Sequence, residues 1–151
     1  MSTLDANLTA AHAEVKAEIA RTDTKTGLLL AFIGALLAGV WTVASDVHLP
    51  AAAYVAGGMA VALLVTAAAL LLRAVRPNLG GANPMGFPLW ATLTAEQIRA
   101  ERAEDRREQD IANLSRLAVA KFANLRRAVD LTCAGGVLLI VAAGIAVGGA
   151  L

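Results

Sequence analysis

Three stretches of this chain contain no Asp, Glu, Lys, Arg or His: residues 27 to 45, 49 to 72 and 131 to 151. Crossing a bilayer takes about 20 apolar residues at 1.5 Å rise each, so each stretch is long enough to span. As buried core helices of a soluble protein they would need far more amphipathic partner surface than the rest of the chain offers. A cleavable leader is a poor fit to the first stretch, which is long and follows 26 residues containing four acids, Asp5, Glu14, Glu18 and Asp23. Composition agrees: of 151 residues, 58% are apolar or aromatic, 13 more are glycine and only 17% are charged. The expected fold is an all-α integral membrane protein with three transmembrane helices and a cytoplasmic helical stalk.

Lys and Arg set the orientation. Lys16, Arg21 and Lys25 precede the first span, the other ten basic residues lie between Arg73 and Arg127, and the connector Asp46-Val47-His48 has none. The positive-inside rule then gives an N-in, C-out multi-pass protein of the bacterial inner membrane, with the bulk of its polar residues cytoplasmic. Trp41 and Tyr54 are placed to mark the outer interface. A net charge of +1 supplies no basic field for nucleic acid, and none is expected as a partner. One cysteine, Cys133, with His12 and His48 far apart, makes neither a disulfide framework nor a metal cage.

Outside the spans, residues 1 to 26 carry Leu4, Leu8, Ala11, Val15, Ile19 and Thr22 at steps of three and four, an amphipathic helix expected to run into the first span. Residues 73 to 93 read as a cytoplasmic loop, because 77 to 90 hold three prolines and three glycines. Thr94 and Gln97 form a capping-box pattern, and 94 to 130 lacks Gly and Pro. If unbroken, that helix is about 55 Å long and feeds the third span. Its first half, Arg99 to Asp110, is nearly all charge; its second carries Ile111, Leu114, Leu117, Ala118, Phe122, Leu125 and Val129 as a stripe. The stripe and the N-terminal helix are expected to pair as parallel stalks, in a bundle closed by homo-oligomerisation. Gly144 and Gly148 make a GxxxG, and Ala52, Ala56 and Ala60 a small-residue ridge, for helix contacts in lipid.

Catalytic chemistry finds no footing. Cys133 lies inside an apolar run without a nearby base, Gly80-Gly81 lacks the Lys and Ser/Thr of a phosphate loop, and the carboxylates Glu101, Glu104, Asp105 and Glu108 are interleaved with arginines. The chain is therefore not expected to be an enzyme, and no cofactor or metal is expected. Two clusters are candidate sites. Arg21, Asp23 and Lys25, with Asp130 above the third span, could couple or gate the helices, Asp23 pairing with Arg126 or Arg127; the same residues also fit an interfacial flank that sets topology. Arg116, Lys121, Phe122, Asn124, Arg126 and Arg127, with Asn113, suit a small anion carrying a planar base: guanidinium for phosphate, ring for stacking, amide for base edges. Contacts to anionic membrane lipid explain that cluster equally well. Only Phe87, Trp90 and Phe122 supply aromatics on this side.

The blocks EIARTDTKTGLLLAFIGALLAG, FPLWATLT and LSRLAVAKFANLRRAVDLTCAG, in that order between about Glu18 and Gly136, resemble the small membrane effectors of the Pycsar antiphage systems. The most specific part is the Arg-x-Asp-x-Lys step, here Arg21, Asp23 and Lys25. The resemblance implies that a separate cyclase makes cyclic CMP or cyclic UMP on phage infection. It also implies that this chain responds by impairing the inner membrane, in abortive infection. It supplies no ligand-contact residues, and the chain lacks a cyclic-nucleotide-binding β-roll. The competing reading is a structural or adaptor membrane protein, for example of a plasmid-transfer or secretion assembly, with Arg99 to Asp110 as its docking face.

Overall fold

The computed structural model describes residues 3–46, 48–76, 87–103 and 105–148. Helices α1 (Thr3–Asp46), α2 (Ala51–Val75), α3 (Phe87–Trp90), α4 (Ala95–Ala103) and α5 (Arg107–Gly148) account for nearly all of them, and there is no strand among the described residues. α1, α2 and α5 are each long and apolar enough to cross a membrane. The N-terminal amphipathic segment and the first span are one continuous helix, and so are the stalk from Arg107 and the third span. The proline-rich stretch 77 to 86, with Gly80 and Gly81, lies outside the described residues, as does the side chain of Phe87.

Several hydroxyls inside these helices bond to their own backbone. Thr9, Thr24, Thr26, Thr42, Ser45, Thr66 and Thr132 each donate to the carbonyl four residues earlier at 2.7–3.2 Å. That bond lets threonine sit in an apolar helix without an orphaned polar atom. Pro50 starts α2, its carbonyl accepting from the Ala53 and Tyr54 amides at 2.9 and 3.2 Å. The capping box at α4 forms as expected: the Thr94 amide donates to Gln97 Oε1 at 2.8 Å and the Gln97 amide to Thr94 Oγ1 at 3.3 Å.

Two boundaries differ from expectation. The single helix over 94 to 130 is broken after Ala103, so the stalk is two helices. Asp105 takes the Arg107 amide on its carboxylate at 3.2 Å, and the Arg106 carbonyl accepts the Asp110 amide at 3.0 Å, which caps a new helix start. A segment that is nearly all charge has no apolar face to hold it straight, so local side-chain bonding prevails. The 73–93 loop is also shorter, since α2 runs to Val75 and Phe87–Trp90 makes a helical turn.

The chain divides into two units. One comprises Met1–Glu18 with Arg76–Ala118, the other Ile19–Val75 with Val119–Leu151. In the second unit the three spans form a bundle around Ile33, Leu64, Ala67, Leu71 and Ala128. Along each helix the covered positions recur at alternating steps of three and four, as Thr22, Thr26, Leu29, Ile33 and Leu36 on α1 and as Lys121, Leu125, Ala128, Thr132, Gly135 and Leu139 on α5. That 3.5-residue period is the seam of a left-handed bundle. α2 contributes Ala53, Ala60, Leu64, Ala67 and Leu71. Among the described glycines only Gly135 faces a neighbouring helix closely: an added Cβ would lie 3.1 Å from Leu64 Cγ and 3.3 Å from the Ala60 carbonyl. The buried small residues of α2 are thus Ala53, Ala60 and Ala67, of which Ala60 meets Gly135. Of the ridge expected from sequence only Ala60 is buried, and a Cβ on Gly144 or Gly148 would meet nothing within 4 Å. Bulky apolar side chains point outward, including Leu28, Phe32, Val55 and Ile140, an arrangement that suits lipid as the surrounding solvent.

Candidate functional site

The polar step at the start of the first span sits on the bundle seam. Thr22 and Thr26 are almost fully buried, the Thr26 hydroxyl donating to the Thr22 carbonyl at 2.8 Å, and Asp23 stands at the margin of that face. Lys121 of α5 donates to Asp23 Oδ1 at 2.6 Å, its side chain 18% exposed against 41% for Asp23. A half-covered pair of this kind contributes about 1 kcal/mol, more than a fully solvated one. The expectation that Asp23 meets Arg126 or Arg127 is corrected here: its partner is Lys121. The reason is the 3.5-residue period, which puts Lys121 in line with Leu125 and Ala128 and turns the two arginines out of the seam. Arg21 and Lys25 are exposed on α1.

The residues grouped as a candidate ligand site all lie on α5, but they do not converge. Lys121 is committed to the seam, Asn124 is half-buried, Phe122 is partly exposed, and Arg126, Arg127 and Asp130 are exposed. Arg116 Nη1 donates to Asn113 Oδ1 at 3.1 Å, three residues back on the same helix. At about 100° per residue, Asp130 lies about 180° and Arg126 about 140° around α5 from Lys121. A ligand held by Arg126 and Arg127 therefore approaches α5 from outside its own bundle. Trp90, the other described aromatic outside the three apolar runs, is exposed and has a partner of its own.

A second polar centre was not foreseen from the sequence. In the first unit the Arg107 guanidinium holds both oxygens of Asp105, with Nε to Oδ1 at 2.9 Å and Nη2 to Oδ2 at 2.6 Å. It also reaches across to α1, donating to the Asp5 carboxylate, the Asp5 carbonyl at 3.3 Å and Thr9 Oγ1 at 2.8 Å. The Arg107 hydrogen bonds hold the Asp105 carboxyl well below its usual range, at about 2. The legible signal is spacing: Arg107 stands four residues before Ile111 and seven before Leu114, so it shares their covered face. An arginine in line with an apolar stripe asks for a buried acceptor.

Within the spans, Phe32, Leu36, Thr132, Cys133, Gly136, Leu139 and Ile140 wall an open groove of about 420 Å³ between α1 and α5. Its lining is too apolar for a nucleotide. No group of three or more His, Cys, Asp or Glu that could hold a metal exists among the described residues. No curated protein and no solved structure matches the chain. The profile of the Pycsar effector protein domain matches residues 7–148, a range that takes in all three spans and the Asp23–Lys121 pair. A match over that length, on a bundle of three apolar helices, means that the chain belongs to the Pycsar effector domain family, the membrane effectors of the Pycsar antiphage system.

Proposed function

We propose that this effector senses a cyclic pyrimidine nucleotide, cyclic CMP or cyclic UMP, made by a separate cyclase, and answers by opening the inner membrane to a leak that ends the infection. The observation that carries the reading is the 2.6 Å ion pair between Asp23, four residues before the apolar run of α1, and Lys121, ten residues before that of α5. Lys121 belongs at once to that seam and to the basic run ending at Arg127. A cyclic phosphodiester held by Arg126 and Arg127, its base against Phe122, binds α5 from outside its own bundle. Drawn to that side, α5 turns about its axis, which takes Lys121 off Asp23 and loosens the α1–α5 seam. Because both helices continue without a break into their spans, the loosened seam is transmitted to the apolar bundle.

The orientation that suits this reading is N-in, with Lys121 and the arginines facing the cytoplasm where the nucleotide is made. The test is membrane potential, followed by a voltage-sensitive dye in cells expressing the chain with a cyclase for cyclic CMP, cyclic UMP or a purine cyclic nucleotide. Depolarisation with a pyrimidine nucleotide alone is the expected result. The double substitution Arg126→Glu, Arg127→Glu abolishes it while leaving insertion intact. Depolarisation of undiminished size in that double mutant overturns the siting.

A further inference from the structure

Asp130 is exposed on α5 immediately before the apolar run that begins at Leu131. Arg126, one helical turn earlier on the same face, is also exposed, and no ion pair joins the two among the described residues. Long basic side chains at a membrane margin can snorkel to water, but a short carboxylate cannot reach as far, so it is costly there without a cation beside it. Continuing along that face at steps of three and four, Cys133, Val137, Ile140 and Gly144 are exposed as well, and a Cβ on Gly144 would meet open space. The most apolar eighteen-residue stretch is 11% buried in α5 and 6% in α1, against 28% in α2. The outward side of α5 is therefore a second stripe with the 3.5-residue period of a helix seam, headed by one cation and one anion a turn apart.

We infer that this outer face of α5 is where a second copy of the chain docks, α5 running parallel to its counterpart, with Arg126 of each copy paired diagonally to Asp130 of the other. A two-fold axis along the membrane normal sets equivalent residues at equal depth, so each contact occurs twice and both carboxylates gain a partner. The single turn between Arg126 and Asp130, about 6 Å of rise, is within the reach of an arginine side chain. Gly144 lets the two helices come close deeper in the bilayer, and Cys133 and Ile140, which wall the open groove beside α1, bring the incoming helix over it. The inference deepens the proposed function, since it places Arg126 and Arg127 between two copies, where a nucleotide can touch both.

Cys133 supplies the test, because the axis sets it opposite its own copy at the range a disulfide spans. Membranes containing the full-length protein are treated with copper–phenanthroline and run on non-reducing gels. The expected product is a linked dimer, absent in Cys133→Ala and regained when Val137→Cys is added to that variant. Arg126→Asp alone and Asp130→Arg alone each lower the yield by about tenfold, since like charges then face each other, and the two together restore it. Linking at neither position in an inserted protein overturns the inference, as does linking indifferent to both charge reversals. The readout needs no nucleotide, so a dimer that fails to depolarise cells would refute the functional reading alone, and a chain that depolarises them without linking would refute this one alone.

Discussion

At the scale of residues, two ionic centres organise the polar ends of α1 and α5, and they differ in what they are asked to do. Asp23–Lys121 is a single contact at the entrance to the apolar bundle. Removing one partner leaves a half-covered charge; we expect Asp23→Asn or Lys121→Met to raise basal dye-reported depolarisation without nucleotide, and the swap Asp23→Lys, Lys121→Asp to return it to the resting level. Leak unchanged in both single variants would show that the pair is not a latch. Arg107 is different, a fork with two carboxylates on it. Because its hydrogen bonds lower the Asp105 carboxyl to about 2 from 3.8, the stabilisation is present above about pH 4 and is lost only as pH falls towards 2. In Arg107→Ala the Asp105 titration, followed by NMR on detergent-solubilised protein, should move up close to 3.8; a midpoint that stays near 2 would assign the shift to another group. Asp23 was legible as a residue needing a cation, and its partner was not, because only the observed seam period selects Lys121 over the neighbouring arginines.

At the scale of elements, the three spans, the continuity of the first with its amphipathic lead and the Thr94 cap were readable, since each is a local pattern of charge, period or capping. The break after Ala103 was not, because a charged stretch with good helix formers looks continuous until one counts what Asp105 can bond to. The small-residue ridges show a related limit: in a chain this rich in alanine many i, i+4 matches exist, and packing chooses Ala53, Ala60 and Ala67. Gly135 is the position where that choice can be tested. A Cβ there is already 3.1–3.3 Å from Leu64 and the Ala60 carbonyl, so Gly135→Leu should cost about 1–3 kcal/mol or more by overpacking and lower the unfolding temperature in detergent. Gly144→Leu, facing open space within the chain, should leave the monomer's stability nearly unchanged. Equal losses at both positions would contradict the observed α2–α5 contact.

At the scale of the whole molecule, the distribution of charge makes a definite statement about sidedness. With all 13 Lys and Arg residues before residue 128 and none in the short α1–α2 connector, alkaline phosphatase fused after Leu151 should be active and a fusion after Arg76 inactive. The reverse pattern would place the basic residues away from the cyclase product and undo the proposed route. Nucleotide-triggered opening is read without other cell components as dye efflux from liposomes holding the purified full-length chain, with cyclic CMP, cyclic UMP, cyclic AMP or cyclic GMP supplied on both faces. Rapid efflux is expected with one or both pyrimidine nucleotides and none with the purines, and the response is lost in Arg126→Glu, Arg127→Glu. Efflux with no nucleotide, or the same efflux with all four, would contradict the proposed function.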